Sequence, residues 1–397
     1  MKRLPATVIA LGLVSFLTDL SSEMIYPLLP VFLSTVLGGG ALALGVIEGL
    51  AESTAALFKL ISGIWTDRTR RRKPFLLAGY GLAGLVRPLI GLAGHWTTVA
   101  AIRFTDRLGK GVRTSPRDAL IADVVAPEQR GRAYGLHRAM DHAGAVAGPL
   151  VAAALLTIEG FTMRGVFLMA AIPAAAVILV LVFGVKELPA RPGPPASESE
   201  PSAGRRELGR DFRLFLLALV LFTLGNSTDA FLLLRLSEAG VPAASVALLW
   251  SLHHVVKTLS TYVGGRLSDR MGRRTMILGG WSVYAAVYLA FALVDGRGGL
   301  ITVFLLYGLY FGLTEPSEKA WVVDLVPASV RGTAFGYYHG AIGLAALPAS
   351  LIFGLLWHFL GAATAFIAGA ALAASAVVPL LLMGRAKKIG TDLPPGP

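Results

Sequence analysis

The sequence contains no cysteine and few charged residues for its length. Only 15% of its 397 residues are Asp, Glu, Lys or Arg, whereas a soluble domain carries about a quarter. The lack of cysteine excludes disulfides and thiolate-held metal sites. GxSxG, HExxH and GxxxxGK[ST] patterns are also absent, so nothing indicates a hydrolase, a zinc enzyme or a nucleotide site. We expect no enzyme activity, no cofactor and no ATP hydrolysis.

Long apolar runs replace the missing charge. Hydrophobic residues make up 55% of the chain, and a membrane-spanning helix needs about 20 mostly apolar residues. Twelve windows meet this requirement, which predicts an all-α polytopic membrane protein surrounded by the lipid bilayer. The windows are 7–35, 41–65, 74–93, 97–124, 132–157, 163–185, 213–238, 242–266, 275–294, 299–325, 332–357 and 360–384.

The formal charge of +12 follows the topology of these windows. Lys and Arg gather in alternate loops, such as RTRRRK at 68–73 and the arginines within 205–213, while the loops between are almost free of them. Because cations collect on the cytoplasmic side of inserted helices, we expect both termini in the cytoplasm. The location is then the cytoplasmic membrane, and nucleic acid is not an expected partner.

A segment rich in Pro, Ser, Gly and charge, 187–212, separates the windows into six and six. This composition is typical of a flexible linker. It predicts an N-terminal bundle (1–186), a cytoplasmic linker (187–212), a C-terminal bundle (213–384) and a cytoplasmic tail (385–397).

The two halves repeat each other in sequence. SGIWTDRTRRRK at 62–73 matches GGRLSDRMGRRT at 264–275, and ALIADVVAPEQRGRAYG at 119–135 matches AWVVDLVPASVRGTAFG at 320–336. SSEMIYPLLP at 21–30 aligns more loosely with NSTDAFLLLR at 226–235 and pairs Glu23 with Asp229.

These motifs resemble those of the major facilitator superfamily, whose signature GxL[ST]DRxGR[RK] is matched best by GRLSDRMGRR at 265–274. The resemblance implies twelve transmembrane helices in two pseudo-symmetric six-helix bundles, alternating access and a functional monomer. It also implies a latch that closes the cytoplasmic side. The alternative is that these charges only set topology. The latch residues are Gly63, Asp67, Arg71, Asp123, Gly265, Asp269, Arg273 and Asp324.

Ionisable residues within the apolar windows mark a pathway. Each costs at least about 2.5–3.5 kcal/mol at the membrane centre, so such groups face a partner or a watery cavity. We expect Glu23 to couple transport to protons, with Asp229 as the second candidate; static ion pairs are the alternative for any single acid. The candidates are Asp19, Glu23, Glu48, Glu52, Arg103, Arg107, Lys110, Asp141, Asp229, His254, Lys257, Glu315 and Glu318.

The fourth window carries the densest charge, in RFTDRLGKGVRTSPRDAL at 103–120. Arg103, Arg107, Lys110 and Thr114 are spaced i, i+4, i+7 and i+11, which places them on one helical face. We expect this helix to line the transport cavity, with Asp106, Asp118 or acids of other helices as partners.

Two further patterns concern the direction of transport. IYPLLPVF at 25–32 resembles the paired-proline element of drug–proton antiporters, and Gly144, Gly148 and Pro149 resemble their helix-five signature. The resemblance favours efflux of a small solute, driven by the proton gradient. Proton-coupled uptake of an anionic metabolite and export of a divalent metal ion or chelate remain alternatives. A passive channel is less favoured, because paired halves suit alternating access.

Overall fold

Helix is the only regular secondary structure in the part of the chain that the structure describes. This computed structural model describes residues 4–69, 71–125, 130–186, 209–326 and 331–383, and no strand occurs in those ranges. The predicted all-α fold is confirmed. In chain order the helices are α1 (Ala6–Thr35), α2 (Ala41–Thr69), α3 (Lys73–Leu92), α4 (Trp96–Val124), α5 (Arg130–Leu156), α6 (Met163–Gly184), α7 (Arg210–Glu238), α8 (Ala243–Met271), α9 (Arg273–Leu293), α10 (Arg297–Asp324), α11 (Arg331–Leu360) and α12 (Ala362–Leu382).

Ten of these helices are long and apolar enough to cross a membrane. Within the described residues, α4 and α8 fall short because they carry the charged and histidine side chains. Each packs against two other helices, α4 against α2 and α3, and α8 against α10 and α5. The polar groups of the two least apolar helices can therefore face a solute pathway or neighbouring helices.

Helices α1 and α7 are both interrupted inside their apolar spans. The break in α1 contains Pro27 and precedes Pro30, and proline removes a backbone donor from the helical ladder. The break in α7 contains Asp229. The loosely matching segments of the two halves thus form equivalent broken helices. The pieces are Ala6–Glu23, Tyr26–Leu28 (3₁₀) and Leu29–Thr35 in α1, and Arg210–Gly225 and Ala230–Glu238 in α7.

Helix packing repeats between the two halves. In the first, α1 packs on α5 and α6, and α4 packs on α2 and α3; in the second, α7 packs on α11 and α12, and α10 packs on α8 and α9. The bundles meet through α2 with α11 and α5 with α8, which is again a symmetric pair. The predicted domain limits stay a prediction, because 187–208 and 384–397 lie outside the described residues.

The bundles approach backbone to backbone where α2 crosses α11. A Cβ atom added to Gly45 would lie 2.5 Å from the Ser350 carbonyl oxygen, and one added to Gly49 would lie 2.8 Å from Leu347 Cδ1. This contact lies toward the membrane face where α1 ends and α2 begins, called here the opposite face. The other face, where α1 begins and α12 ends, carries the basic loops and is called the basic face.

The two bundle interiors differ in chemistry. The second bundle is filled by aromatic rings, with Trp281, Tyr284, Tyr288 and Tyr307 fully buried. The Phe222 and Trp281 rings stack with centroids 4.5 Å apart. The first bundle instead buries charged side chains at the corresponding depth. This asymmetry places the polar chemistry of the protein mainly in the first bundle.

Candidate functional site

Four buried charged residues form a continuous chain through α2, α3 and α4. Arg103 Nη2 lies 2.6 Å from Glu48 Oε1, and Arg103 Nη1 lies 3.6 Å from Asp106 Oδ2. Arg87 Nη2 lies 2.7 Å from the other Asp106 oxygen. None of the four side chains is more than 5% exposed. Two cations and two anions balance one another, which offsets the cost of removing them from water.

Arg87 was not predicted as a site residue. It begins the 3₁₀ turn Arg87–Leu92 that ends α3, and it also donates to the Thr18 carbonyl oxygen and to Ser21 Oγ at 3.3 Å each. Arg87 thereby ties α1 to the network. A lone arginine inside the apolar window 74–93 was a sufficient signal, by the same membrane rule that singled out Arg103.

One helical turn further along α4, the charged residues reach water. Arg107 Nη2 lies 3.6 Å from Glu52 Oε1 on α2, and the Glu52 side chain is 48% exposed although it lies well inside the apolar span Ala41–Ser62. Lys110 lies close enough to Asp19 and Glu52 to interact electrostatically with both. A carboxylate that is paired inward yet half exposed at this depth indicates a water-accessible cavity between the bundles.

Helix α4 is continuous despite Pro116, so the predicted charged residues lie on one helix as expected. Thr114 Oγ1 is used internally, donating to the Lys110 carbonyl oxygen at 2.6 Å. Arg113, on the neighbouring face, lies 4.1 Å from the Tyr80 ring centroid. Asp106 and Asp118, named as possible partners, bind Arg87 and Arg117 respectively. The structure therefore gives most α4 cations a protein partner.

Small residues on α5 bring α1 close. A Cβ atom on Gly148 would lie 2.7 Å from the Leu20 carbonyl oxygen and 2.8 Å from Glu23 Cβ, and one on Gly144 would lie 3.0 Å from Asp19 Cβ. Pro149 follows inside the same helix. This glycine pattern therefore positions the two α1 acids directly against α5.

Asp141 on α5 occupies the contact with α1. Its carboxyl group accepts hydrogen bonds from Ser15 Oγ at 2.7 Å and from Arg138 Nη1 at 3.0 Å. Arg138 Nη2 also lies 3.7 Å from Glu315 Oε1 on α10, which is an ion pair between the bundles. Glu315 is held on its other side by Lys319 Nζ at 3.1 Å.

The helix breaks carry further contacts between the bundles. Trp250 Nε1 on α8 donates to Glu23 Oε2 at 2.8 Å, and the Tyr26 and Thr228 hydroxyl groups lie 3.3 Å apart. Asp229 instead accepts from Tyr307 within its own bundle, at 2.6 Å. Glu23 and Asp229 therefore occupy matching positions in the sequence, but Glu23 binds the other bundle and Asp229 binds its own.

The remaining candidates of the second bundle divide between cavity and core. His254 packs edge-on against Trp250, and Lys257 Nζ lies 3.7 Å from the Phe311 ring centroid. Glu318 belongs to the aromatic core, where it accepts hydrogen bonds from Trp281 Nε1 at 3.1 Å and from the Tyr338 hydroxyl group at 2.9 Å. The structure does not bring Glu318 together with the α4 cations.

Among the described residues, an Arg–Asp ion pair lies at the basic face in each half. Arg273 Nε lies 3.6 Å from Asp324 Oδ2, and Arg72 Nε lies 3.6 Å from Asp123 Oδ2. In sequence, Arg273 aligns with Arg71 rather than with Arg72, so the first half uses the next arginine. Arg71 itself is exposed. Four latch candidates lie within α2 and α8, but their side-chain surroundings fall outside the described residues: Gly63, Asp67, Gly265 and Asp269.

Comparison with known proteins agrees with this architecture. An uncharacterized MFS-type transporter of Methanocaldococcus jannaschii is 34% identical over 366 residues, covering 90% of this chain and 89% of that protein. The multidrug resistance protein MdtH of Sodalis glossinidius is 26% identical, covering 81% of this chain and 78% of that protein.

Solved structures share the fold at low sequence identity. A bacterial homolog of the human lysosomal transporter Spinster, inward-facing and unoccupied, superposes with a TM-score of 0.74 at 17% identity, covering 96% of each chain. The family model of the Major Facilitator Superfamily matches residues 11–317 and 230–396. These relatives are transporters rather than enzymes, and the chain belongs to the major facilitator superfamily of multi-pass membrane transporters.

Proposed function

We propose that this protein exports a small organic solute across the cytoplasmic membrane in exchange for protons, by alternating access. The proton gradient supplies the energy, and the protein works as a monomer without a cofactor. The basic face is cytoplasmic in this proposal, so both termini are inside the cell, in keeping with the distribution of Lys and Arg.

The contact between Glu23 and Trp250 carries the proposal. It joins a half-buried carboxyl group of the first bundle to a donor of the second, at 2.8 Å. Rocking of the bundles must lengthen this bond, and protonation of Glu23 removes the charge that strengthens it. Proton binding and bundle movement therefore act on the same bond, which is the requirement for coupling.

Efflux is supported by relatives and by local packing. MdtH proteins are named for multidrug resistance, and α5 uses Gly144 and Gly148 at its contact with α1, as the antiporter-like pattern suggests. The protein is therefore grouped with exporters in this proposal.

The site favours an amphipathic cation or zwitterion over the two alternative cargoes. Arg103 is neutralised by Glu48 and Asp106, which counts against uptake of an anion at that cation. In the described part of the chain, no three His, Asp or Glu side chains converge as metal ligands. The half-buried aromatic ring of Tyr26 and the half-exposed carboxylate of Glu52 suit a solute that carries a cationic group.

A reconstituted assay tests the proposal. Proteoliposomes with an imposed pH gradient and ethidium as the probe should show probe movement that stops when a protonophore collapses the gradient. Glu23→Gln should lose the gradient-driven part while keeping exchange of probe at equal pH. The proposal is overturned if the wild-type protein moves ethidium, or any hit of a thermal-shift screen of drugs and metabolites, at a rate that ignores the gradient.

A further inference from the structure

An open apolar groove runs between α7 and α11 of the second bundle. Its volume of about 350 Å³ lies within the range of known ligand-binding cavities. The α7 wall consists of Leu216, Leu217 and Val220. Apart from the Tyr337 hydroxyl group, the lining side chains are hydrocarbon. The groove therefore suits an apolar chain rather than a polar solute.

Two glycines of α11 form the floor of the groove. A Cβ atom added to Gly336 or to Gly340 would meet nothing within 4 Å, so the space above both residues is open. The two positions lie four residues apart, which places them on one face of the helix. The missing side chains therefore create a continuous slot along α11.

The first bundle fills the corresponding space. Continuing the match of 119–135 with 320–336 along both helices places Met140 of α5 opposite Ala341 of α11. Met140 packs against α1, because a Cβ atom added to Gly12 would lie 3.4 Å from Met140 Cγ. Ala341 is much smaller and lines the open groove. The groove thus results from a difference in sequence between the two halves.

The groove opens away from the interface between the bundles. Gly343 faces Ala56 of α2, and Ala341, two residues earlier, lies on the opposite side of α11 at 3.6 residues per turn. Leu217 is 51% exposed and Leu344 is 81% exposed. Both belong to apolar spans, Arg210–Glu238 and Ala334–Leu360. Lipid chains rather than water therefore cover these leucines.

The groove lies in the half of the membrane core next to the basic face. Helix α7 begins at Arg210, and at 1.5 Å per residue Leu216 and Val220 follow about 9 and 15 Å further along its axis. The hydrocarbon core of a bilayer is about 30 Å thick. The groove is therefore at the depth of the acyl chains of one leaflet.

Two arginines lie at the headgroup end of the groove. Arg210 and Arg213 are exposed and share the face of α7 that carries Leu217, since the three are spaced i, i+3 and i+7. Guanidinium groups bind phosphate through paired hydrogen bonds. Gly209 gives the first turn no side-chain cap, so backbone N–H groups there also favour an anion. Asp211 lies about 100° around the helix from Arg210.

We propose that this groove binds one acyl chain of an anionic phospholipid, and that Arg210 and Arg213 hold the lipid phosphate group. The apolar lining selects hydrocarbon, and the cations at its end select a headgroup of net negative charge. The bound chain fills the space between α7 and α11 and stabilises the second bundle. Lipid binding involves neither solute nor proton gradient, so this inference is independent of the proposed export.

Native mass spectrometry of the full chain in detergent tests the groove. The protein is titrated with phosphatidylglycerol and with phosphatidylcholine that carries the same acyl chains. Wild-type protein should bind one phosphatidylglycerol molecule several-fold more tightly than phosphatidylcholine. Gly336→Leu and Gly340→Leu fill the groove and should each lose this tightly bound lipid.

The matched control is Gly135→Leu. Gly135 aligns with Gly336 in the first half and is equally open, with nothing within 4 Å of an added Cβ atom. It receives the same gain in helix propensity and should retain the tightly bound phosphatidylglycerol. The inference is overturned if both filled variants bind phosphatidylglycerol as the wild type does.

A variant that leaves the groove intact tests the arginines. The double variant Arg210→Gln, Arg213→Gln should bind the two lipids with equal affinity, and an unchanged preference for phosphatidylglycerol overturns the role of these cations. Thermal unfolding is the second readout. Phosphatidylglycerol should raise the unfolding temperature of the wild type more than phosphatidylcholine does. An equal rise with inorganic phosphate alone would show that no acyl chain is needed, which overturns the groove assignment.

Other occupants of the groove give different results. A wild type that is dimeric by mass and becomes monomeric in Gly340→Leu assigns the groove to a second copy of the chain and overturns the lipid assignment. Displacement of the tightly bound phosphatidylglycerol by ethidium assigns the groove to the solute and overturns it as well. A wild type that retains the lipid but moves ethidium at a rate that ignores the pH gradient overturns only the proposed export.

Discussion

Trp250 Nε1 and Glu23 Oε2 lie 2.8 Å apart across the interface of the two bundles. The donor belongs to α8 and the acceptor to the end of the first piece of α1. A buried indole donor has no second hydrogen, so this bond is its single hydrogen-bonding possibility. Movement that separates α1 from α8 must break this bond and leave the Trp250 indole N–H and the Glu23 carboxyl group without each other as partners.

Removing this donor should shift the balance between conformations. Trp250→Phe keeps an aromatic ring but removes the bond to the half-buried Glu23 carboxyl group, and a hydrogen bond to a charged group contributes about 1.5–3 kcal/mol. We expect the state in which α1 and α8 touch to lose about tenfold or more in relative population. Because the chain lacks cysteine, spin labels can be placed on Gly135→Cys of α5 and Met271→Cys of α8, both exposed near the basic face. The distribution of distances between the labels measures the change in population, and Trp96→Phe is the matched control. An identical distance distribution in Trp250→Phe would contradict this account.

The buried pair of Arg103 and Glu48 should show strong coupling. Either Glu48→Leu or Arg103→Leu leaves a partner charge buried, which costs about 3–5 kcal/mol. The double variant removes both charges and retains the Arg87–Asp106 pair, so we expect it to recover much of the lost stability. Thermal unfolding of the wild type, the two single variants and the double variant in detergent gives the coupling free energy between the two charges. Additive losses in the double variant would show that the two charges act independently.

A side chain at Gly45 should separate α2 from α11. Gly45→Val places a branched side chain where the Ser350 carbonyl oxygen lies 2.5 Å from the position of Cβ. Opening the opposite face in this way should bring the basic ends of the bundles together. We expect a shorter distance between spin labels on Gly135→Cys and Met271→Cys. Gly40→Ala, which meets nothing within 4 Å, is the control and should leave that distance unchanged.

The ion pairs at the basic face should contribute more to conformational change than to stability. Asp123 and Asp324 have side chains 55% and 56% exposed, and exposed pairs contribute about 0–1 kcal/mol. Asp123→Asn and Asp324→Asn should therefore unfold close to the wild-type temperature. If these pairs form part of the latch, transport of ethidium should change in the same variants. A large loss of thermal stability would assign them a structural role instead.

The sequence was sufficient for the helices and for their polar faces, because both follow from local periodicity. The window 97–124 was predicted to be a helix carrying charge through the bundle, and α4 runs from Trp96 to Val124. The equivalence of 21–30 and 226–235 anticipated two related segments, which the structure shows as two helix breaks. Charge spacing along one helix identifies a face without identifying what that face meets.

Contacts between residues on different helices could be identified only from the structure. Ser15 and Asp141 are 126 positions apart, and only the packing of α1 on α5 brings them within 2.7 Å. Arg87 was overlooked although it joins three helices. At the basic face, alignment of the halves favoured Arg71, yet the ion pair uses Arg72. The second half turns at Gly272 with a positive φ of 85°, and its counterpart Arg70 lies outside the described residues.

The glycine-rich crossing of α2 and α11 has a mechanical consequence. The contacts between these helices extend from Ala41, which faces Gly354, to Ala56, which faces Gly343. Beyond Ala56, α2 continues to Thr69, a lever arm of about 20 Å at 1.5 Å per residue. A rotation of about 15°, as subunits make in known switches, moves such an arm's end by about 5 Å. The crossing can therefore serve as a pivot, at which a small angular change opens or closes a passage wide enough for a small organic molecule.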